Sequence, residues 1–390
     1  MVHLLLVLVW LLACSGTNND IVSAASASTS NRHPLLLPNG LATASATRTT
    51  VPLWVRPREW RLLDTAVSAG DMPADAVVAK DGSGDYTTIK EALEAADQLG
   101  NGWYIIHIKS GTYLEKVEVH RKNVLLVGDG VGRTIISGSR SYGNTNNCTP
   151  CTATLSAQGH GFMARDLTIE NTAGPDKGQA VALFSNSNCS VFLRCEVRGF
   201  QDTLLAENHL QFYRDCIISG TVDFVFGEAA AAVFQNCLLL ARRPANGAHN
   251  IITAQGRSDP GSRSGFIFQG CNVSTHEDLA DVETYLGRPW RRYSRVVFMQ
   301  TYMSGIVHPS GWVAWKKNDD SSADTRATAL TVFYAEYNNT GPGASVAGRV
   351  KWPGFHVFKR ANQARKFTVD AFIDGSQWLP QTNVSYNPGL

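Results

Sequence analysis

The sequence predicts an all-β fold built as stacked coils of a β-helix, with one short helix before the coils. Short apolar or alternating runs bounded by Gly, Asn and Asp follow one another through most of the chain. Three of them recur in phase every 21 residues: Phe192-Leu-Arg-Cys195-Glu-Val197-Arg-Gly199-Phe-Gln-Asp202, Tyr213-Arg-Asp-Cys216-Ile-Ile218-Ser-Gly220-Thr-Val-Asp223, and the weaker Phe234-Gln-Asn-Cys237-Leu-Leu239. A unit this short can bury its apolar side only by stacking on the next one. A β-sandwich of hairpins is the competing architecture, and it gives Cys, Gly and Asp no reason to recur in phase. The 390 residues suffice for one elongated β domain of roughly 300 residues plus a leader.

In chain order, Leu4 to Ala13 is apolar, too short to span a bilayer, and followed by the small residues Ser23, Ala24 and Ala25. Residues 1–25 are therefore expected to be a signal peptide; Leu11-Leu12-Ala13-Cys14 also resembles a bacterial lipoprotein cleavage box, a minor alternative. Residues 26–76, rich in Ser, Thr, Ala and Pro at first, read as a flexible presegment. Within it, Trp54 to Leu63 carries clustered Arg that suits a processing protease or a plain basic linker. The body is expected over 77–390. Ile89, Ala92, Leu93 and Ala96 recur at helical spacing and predict one short amphipathic helix. Strands are predicted at 104–108, 124–127, 134–136, 167–170, 191–197, 211–218, 233–240, 265–268 and 296–300. No later apolar run is long enough to cross a membrane.

Composition excludes two classes. With 44% hydrophobic and 17% charged residues and 35 Lys+Arg against 33 Asp+Glu, the chain is neither a disordered tail nor a nucleic-acid binder. Its charges are nevertheless clumped, as Arg288, Arg291, Arg292 and Arg295, and as Arg242, Arg243, Arg257 and Arg263. On an extended body such clumps could face an acidic polymer; solvated loops are the alternative. Eight Cys and five Asn-X-Ser/Thr sites, at Asn147, Asn188, Asn272, Asn338 and Asn383, point to an oxidising route. Losing Cys14 with the leader leaves an odd number, so one thiol stays free or pairs outside the chain.

The repeat has a chemical consequence, because equivalent positions on neighbouring coils lie about 4.8 Å apart. Asp202 and Asp223 become neighbours, and Gln179, 22 residues before Gln201, falls near the same column one coil earlier. Two carboxylates held so close cannot both ionise easily, so the pair becomes a proton donor beside a nucleophile, and adjacent amides resemble an oxyanion hole. The plainer alternative is that one Asp caps a turn while the other pairs with an Arg. Cys195, Cys216 and Cys237 stack by the same argument, as disulfide partners or as inward-facing thiols. There is no Gly-X-Ser-X-Gly elbow, the His residues lack metal-ligand spacing, and Gly128-Asp-Gly-Val-Gly132 lacks the last Gly of a dinucleotide fingerprint. Leu286-Gly-Arg-Pro-Trp290 offers an Arg for a carboxylate and a Trp for a sugar face, or else a Trp that merely packs.

Five segments, Gly111-Thr-Tyr-Leu-Glu115, Gln179-Ala-Val-Ala-Leu183, Gly199-Phe-Gln-Asp-Thr-Leu204, Gly220-Thr-Val-Asp-Phe-Val-Phe-Gly227 and Leu286-Gly-Arg-Pro-Trp290, occur in the order found in the plant pectinesterase (pectin methylesterase) family. The chain resembles that family from about Val77 to Leu390. The resemblance implies a single-stranded right-handed parallel β-helix and a carboxylic ester hydrolase that removes methyl esters from cell-wall homogalacturonan. The products would be methanol and free carboxylates, with no metal or organic cofactor. By motif, Asp223 would attack the ester carbonyl, Asp202 would protonate the leaving methoxide and then activate water, and Gln179 and Gln201 would hold the oxyanion. Arg288 would orient Asp223, and Arg288, Trp290, Gln179 and Thr112 would bind substrate.

The resemblance further implies a Cys237–Cys271 disulfide and a secreted, extracellular monomer in the cell wall. Its partners would be pectin and, as a candidate, a proteinaceous pectinesterase inhibitor, with no nucleic acid and no membrane once the leader is lost. Several positions depart from the pattern. Leu205 stands where the family usually has Tyr, Glu228 where it usually has Asn, and Cys148 and Cys151 are atypical. The inhibitor-like segment that precedes many members is not expected, although Arg61-Leu62-Leu63 resembles its processing linker. A pectin lyase or glycosidase and a catalytically weak wall-binding protein are the alternatives in function.

Overall fold

One sequence repeat makes one coil. Ser190–Leu193, Glu196–Arg198 and Leu204–Ala206 lie in three different sheets, and the next 21 residues repeat the circuit with Asn208–Arg214, Ile217–Gly220 and Val225–Gly227. The sheets hold eleven, eight and seven strands, paired in parallel with each strand matched to its equivalent one coil away. The architecture is a right-handed parallel β-helix. The structure, a computed structural model, describes residues 72–96, 100, 102–315 and 322–390, so the expected signal peptide and the presegment up to residue 71 lie outside the described residues. Among the described residues no helix is long and apolar enough to cross a membrane.

The runs predicted as single strands at 191–197, 211–218 and 233–240 are each two strands on different sheets. A single left-handed residue makes each corner, Arg194 at φ 48°, Asp215 at 53° and Asn236 at 56°. The next residue, Cys195, Cys216 or Cys237, then points into the core. One polar residue per corner leaves no gap in the apolar pattern, so periodicity alone cannot find the bend.

Inside, equivalent residues stack. Phe192, Tyr213, Phe234, Phe268 and Phe298 form a continuous ladder with ring centroids 4.5–4.8 Å apart. The column ends one coil later at Glu336, which is paired in register with Phe298. Its buried carboxylate is held by Arg349 at 2.7 and 3.2 Å, and the same guanidinium also donates to the carbonyls of Gly343 and Pro309. Arg349→Met is expected to lower the unfolding free energy by about 3–5 kcal/mol, because it strands a buried carboxylate. Urea titration checks this; a loss under about 1 kcal/mol would count against a stabilising role for the pair.

Outside, the eleven-stranded sheet is covered by the C-terminal segment, whose Phe367, Val369, Phe372, Ile373 and Leu379 pack on Val191, Phe212, Val233, Ile267 and Val297. Gln235 and Gln269 anchor its tail through the carbonyls of Asn387 and Gly389. Strands buried on both faces read as unbroken apolar runs, which is why most of the predicted strands belong to this sheet. At the other end Ile89–Ala96 forms the predicted helix, burying Ile89, Ala92, Leu93 and Ala96. Glu115 accepts from the backbone N–H of Ile89 and Lys90, capping the helix from outside it.

The cysteines correct an expectation. Cys237 and Cys271 occupy the same corner of adjacent coils, but both are buried thiols. The Sγ of Cys237 donates to the Tyr213 carbonyl and that of Cys271 to the Phe234 carbonyl, each on the preceding coil. Backbone acceptors one coil back thus satisfy Cys216, Cys237 and Cys271 of the column. The disulfide among the described residues joins Cys148 to Cys151.

Candidate active site

The outer face of the seven-stranded sheet carries a cleft of about 630 Å³. Its floor is a column set by register, since Leu205 pairs with Phe226, Phe226 with Ala254 and Ala254 with Arg288. Three-residue strands such as Leu204–Ala206 and Val225–Gly227 suffice because the coils on either side hold them. Gly227 keeps the coils this close, since a Cβ there would lie 1.8 Å from the Ala206 carbonyl oxygen. The wall facing the floor is the 142–152 loop, which contributes Tyr142, Asn147, Cys148, Thr149 and Pro150 and is clasped by its disulfide.

Gln179, Gln201, Asp202 and Asp223 meet at the entry to these strands, and all four line the cleft. The Asp202 N–H donates to the Val222 carbonyl at 3.0 Å, which sets the two aspartates on neighbouring coils as the 21-residue spacing requires. Both have left-handed backbone, φ 61° for Asp202 and 51° for Asp223. Only 7% and 4% of their surfaces reach solvent. Strict register places Ala180, not Gln179, against Gln201, so the two amides are offset by one residue along the column.

Arg288 grips one carboxylate alone. Its Nε and Nη2 donate to the two oxygens of Asp223 at 2.8 and 2.6 Å. Behind it, the guanidinium lies 4.1 Å from the centroid of the Trp315 ring. Burial and the neighbouring Asp223 charge push the Asp202 carboxyl well above the usual carboxylate range. Burial also raises Asp223, but there the bidentate guanidinium opposes it. The proton shared by the pair therefore rests on Asp202, leaving an ionised carboxylate next to an acid.

Trp290 lines the cleft, with its ring 6.1 Å from Phe226 and 6.5 Å from Trp315. Thr112 does not line it. That side chain is exposed on Gly111–Leu114 in the eight-stranded sheet, and its carbonyl accepts from Lys80. The motif around it is structural, burying Tyr113 and using Glu115 as the helix cap. Among the described residues no cluster of His, Cys, Asp and Glu could hold a metal ion.

The arginine clumps are mostly consumed within the protein rather than offered to a polymer. Arg291 pairs with Glu228 at 2.9 Å, Arg243 with Asp281 at 2.9 Å and Arg263 with Asp374 at 2.7 Å. Arg242 stacks on Phe200, while Arg257 and Arg295 donate to backbone carbonyls. Sequence reasoning missed Trp315, Glu207 and the 142–152 wall. The second Trp of the Trp312-Val-Ala-Trp315 stretch was the available signal for the first. The atypical Cys148 and Cys151 mark the wall locally, but nothing in their spacing says that it reaches the site, which it does only through coiling.

A family model for Pectinesterase matches residues 75–376. "Pectinesterase 2" of Citrus sinensis is 49% identical over 343 residues, covering 87% of this chain and 64% of that protein. "Probable pectinesterase/pectinesterase inhibitor 17" of Arabidopsis thaliana is 49% identical over 344 residues, again 87% of this chain and 64% of the relative. The chain thus spans 64% of the length of these relatives. Among solved structures, pectin methylesterase from carrot aligns with a TM-score of 0.77 and 43% identity, over 82% of this chain and 98% of that one. Pectin methylesterase from Aspergillus niger aligns at 0.66 and 27%, over 77% and 95%.

Proposed function

Because the chain belongs to the pectinesterase family, we propose that the cleft hydrolyses the methyl esters of homogalacturonan. The observation that carries this is the buried carboxylate pair, in which Arg288 holds Asp223 alone. An ionised Asp223 oxygen uses its lone pair to bond to the ester carbonyl carbon, and the π pair of the C=O bond moves onto the carbonyl oxygen. The Gln179 and Gln201 amides, at the mouth of the same strands, can donate to that oxyanion. Collapse breaks the bond to methoxide, which leaves as methanol with the proton of Asp202. Asp202, now ionised, takes a proton from water; the water attacks the acyl-Asp223 carbonyl, and the free galacturonate departs. Trp290 and Trp315 offer ring faces to the sugars.

The remaining family expectations belong to the same proposal. They are a catalytic domain over 77–390 behind a signal peptide and presegment, delivery of a glycosylated monomer to the cell wall, and a proteinaceous inhibitor as partner. Methanol release from highly methylated pectin, measured with chain length, is the test. Methanol without chain shortening is expected; shortening would favour a lyase or glycosidase, and no methanol from folded protein would overturn the proposal.

A further inference from the structure

Two acidic residues follow the strands that the aspartates precede. Glu207 comes directly after Leu204–Ala206 and Glu228 directly after Val225–Gly227. The next residues, Asn208 and Ala229, are paired in register, and the Ala229 N–H donates to the Glu207 carbonyl at 2.7 Å. The two glutamates therefore stack on adjacent coils, about 4.8 Å apart along the helix axis. Glu207 lines the cleft beside Asp202, Leu205 and Phe226. Glu228 accepts from Arg291, whose guanidinium lies 5.0 Å from the Trp290 ring centroid. Gly256 lets this rim lie flat, since a Cβ there would meet Trp290 at 2.8 Å and Glu228 Cγ at 3.0 Å.

We propose, on the reading that the cleft de-esterifies homogalacturonan, that Glu207 and Glu228 act as a charge filter against an ionised galacturonate beside the reacting ester. The rim holds two carboxylates and one guanidinium, so its balance is negative, and Glu228 already engages the Nη2 of Arg291, a guanidinium that could otherwise take a sugar carboxylate. A methyl-esterified neighbour carries no charge and meets no repulsion. Burial and the charge of Glu228 both raise the Glu207 carboxyl, the response expected of an acid beside a like charge in a partly dry site. Each turnover leaves a new carboxylate, which the filter disfavours in the cleft. The enzyme then departs rather than stepping to the adjacent ester, and free carboxylates end up scattered along the polymer.

The experiment compares kcat/KM on fully methylated and half-methylated oligogalacturonates for wild type, Glu228→Gln and Glu228→Gln/Arg291→Gln, with thermal unfolding as the folding control. Glu228→Gln removes one negative charge and frees Arg291, so relative activity on the half-methylated oligomer should rise about tenfold. Contiguous free blocks should lengthen in parallel, and the double variant should lose most of the gain. If Glu228→Gln does not fold, Glu207→Gln should raise the same ratio by removing a like charge from the cleft itself. A ratio unchanged within about twofold in a folded variant overturns the filter. Wild-type protein that releases no methanol from either oligomer overturns the functional reading instead, so the two failures are distinguishable.

Discussion

Asp223→Asn is expected to abolish methanol release while leaving the fold intact. The amide keeps the shape of the carboxylate but offers no anionic oxygen to the ester carbonyl, so a loss of at least about 10⁴-fold is expected. The fold should tolerate it for two reasons. Position 223 has left-handed backbone, a region in which Asn is among the most tolerated side chains. Arg288 is 22% exposed and keeps its place over Trp315, so its charge is not stranded. The expected stability change is within about 1–2 kcal/mol. Methanol release and thermal unfolding on the same preparation decide the matter, and near-normal turnover would remove Asp223 from the role of nucleophile.

Asp202→Asn should cost about 10²–10⁴-fold, the usual range for loss of a positioned acid and base. It differs from the first variant in kind. The nucleophile remains, so an ester with a more acidic leaving alcohol should still acylate Asp223, and the acyl-enzyme should accumulate because no base activates water. Intact-protein mass spectrometry would detect it; a free enzyme under burst conditions would count against the assignment. The pH profile carries the same logic. Wild-type activity should fall as pH drops through the pKa of Asp223, whose protonation removes the nucleophile. It should fall again as pH rises through that of Asp202, whose ionisation removes the acid. Burial and the Asp223 charge push Asp202 well upward, so the alkaline limb lies above the ordinary carboxylate range. Asp202→Asn should lose that limb and keep the acid one.

The repeat was legible because stacking imposes one residue type on one position of every coil. The in-phase Cys are the inward corner residues, and the in-phase Asp precede the strands of the cleft floor. The 21-residue spacing of Asp202 and Asp223 therefore places the two carboxylates on neighbouring coils from the sequence itself. Apolar runs likewise revealed the eleven-stranded sheet, whose strands are buried on both faces. The seven-stranded sheet escaped notice because strands such as Leu204–Ala206 are too short to show a period.

Sequence alone thus determined the coil, its 21-residue rise, and the stacking of Asp202 on Asp223, because these follow from local pattern and a fixed strand spacing. Tertiary structure decided how the charge is held on one carboxylate, since Arg288, 65 residues from Asp223 in sequence, meets both of its oxygens only in the completed stack. It decided that Cys237 and Cys271 remain thiols, because a shared column supplies carbonyl acceptors as readily as a sulfur partner. It also moved Thr112 out of the cleft and Glu228 onto Arg291. Local sequence sets where a side chain sits on its coil, but its partner is whatever a coil some 20 to 100 residues away presents at the same height, and only the completed stack brings the two together.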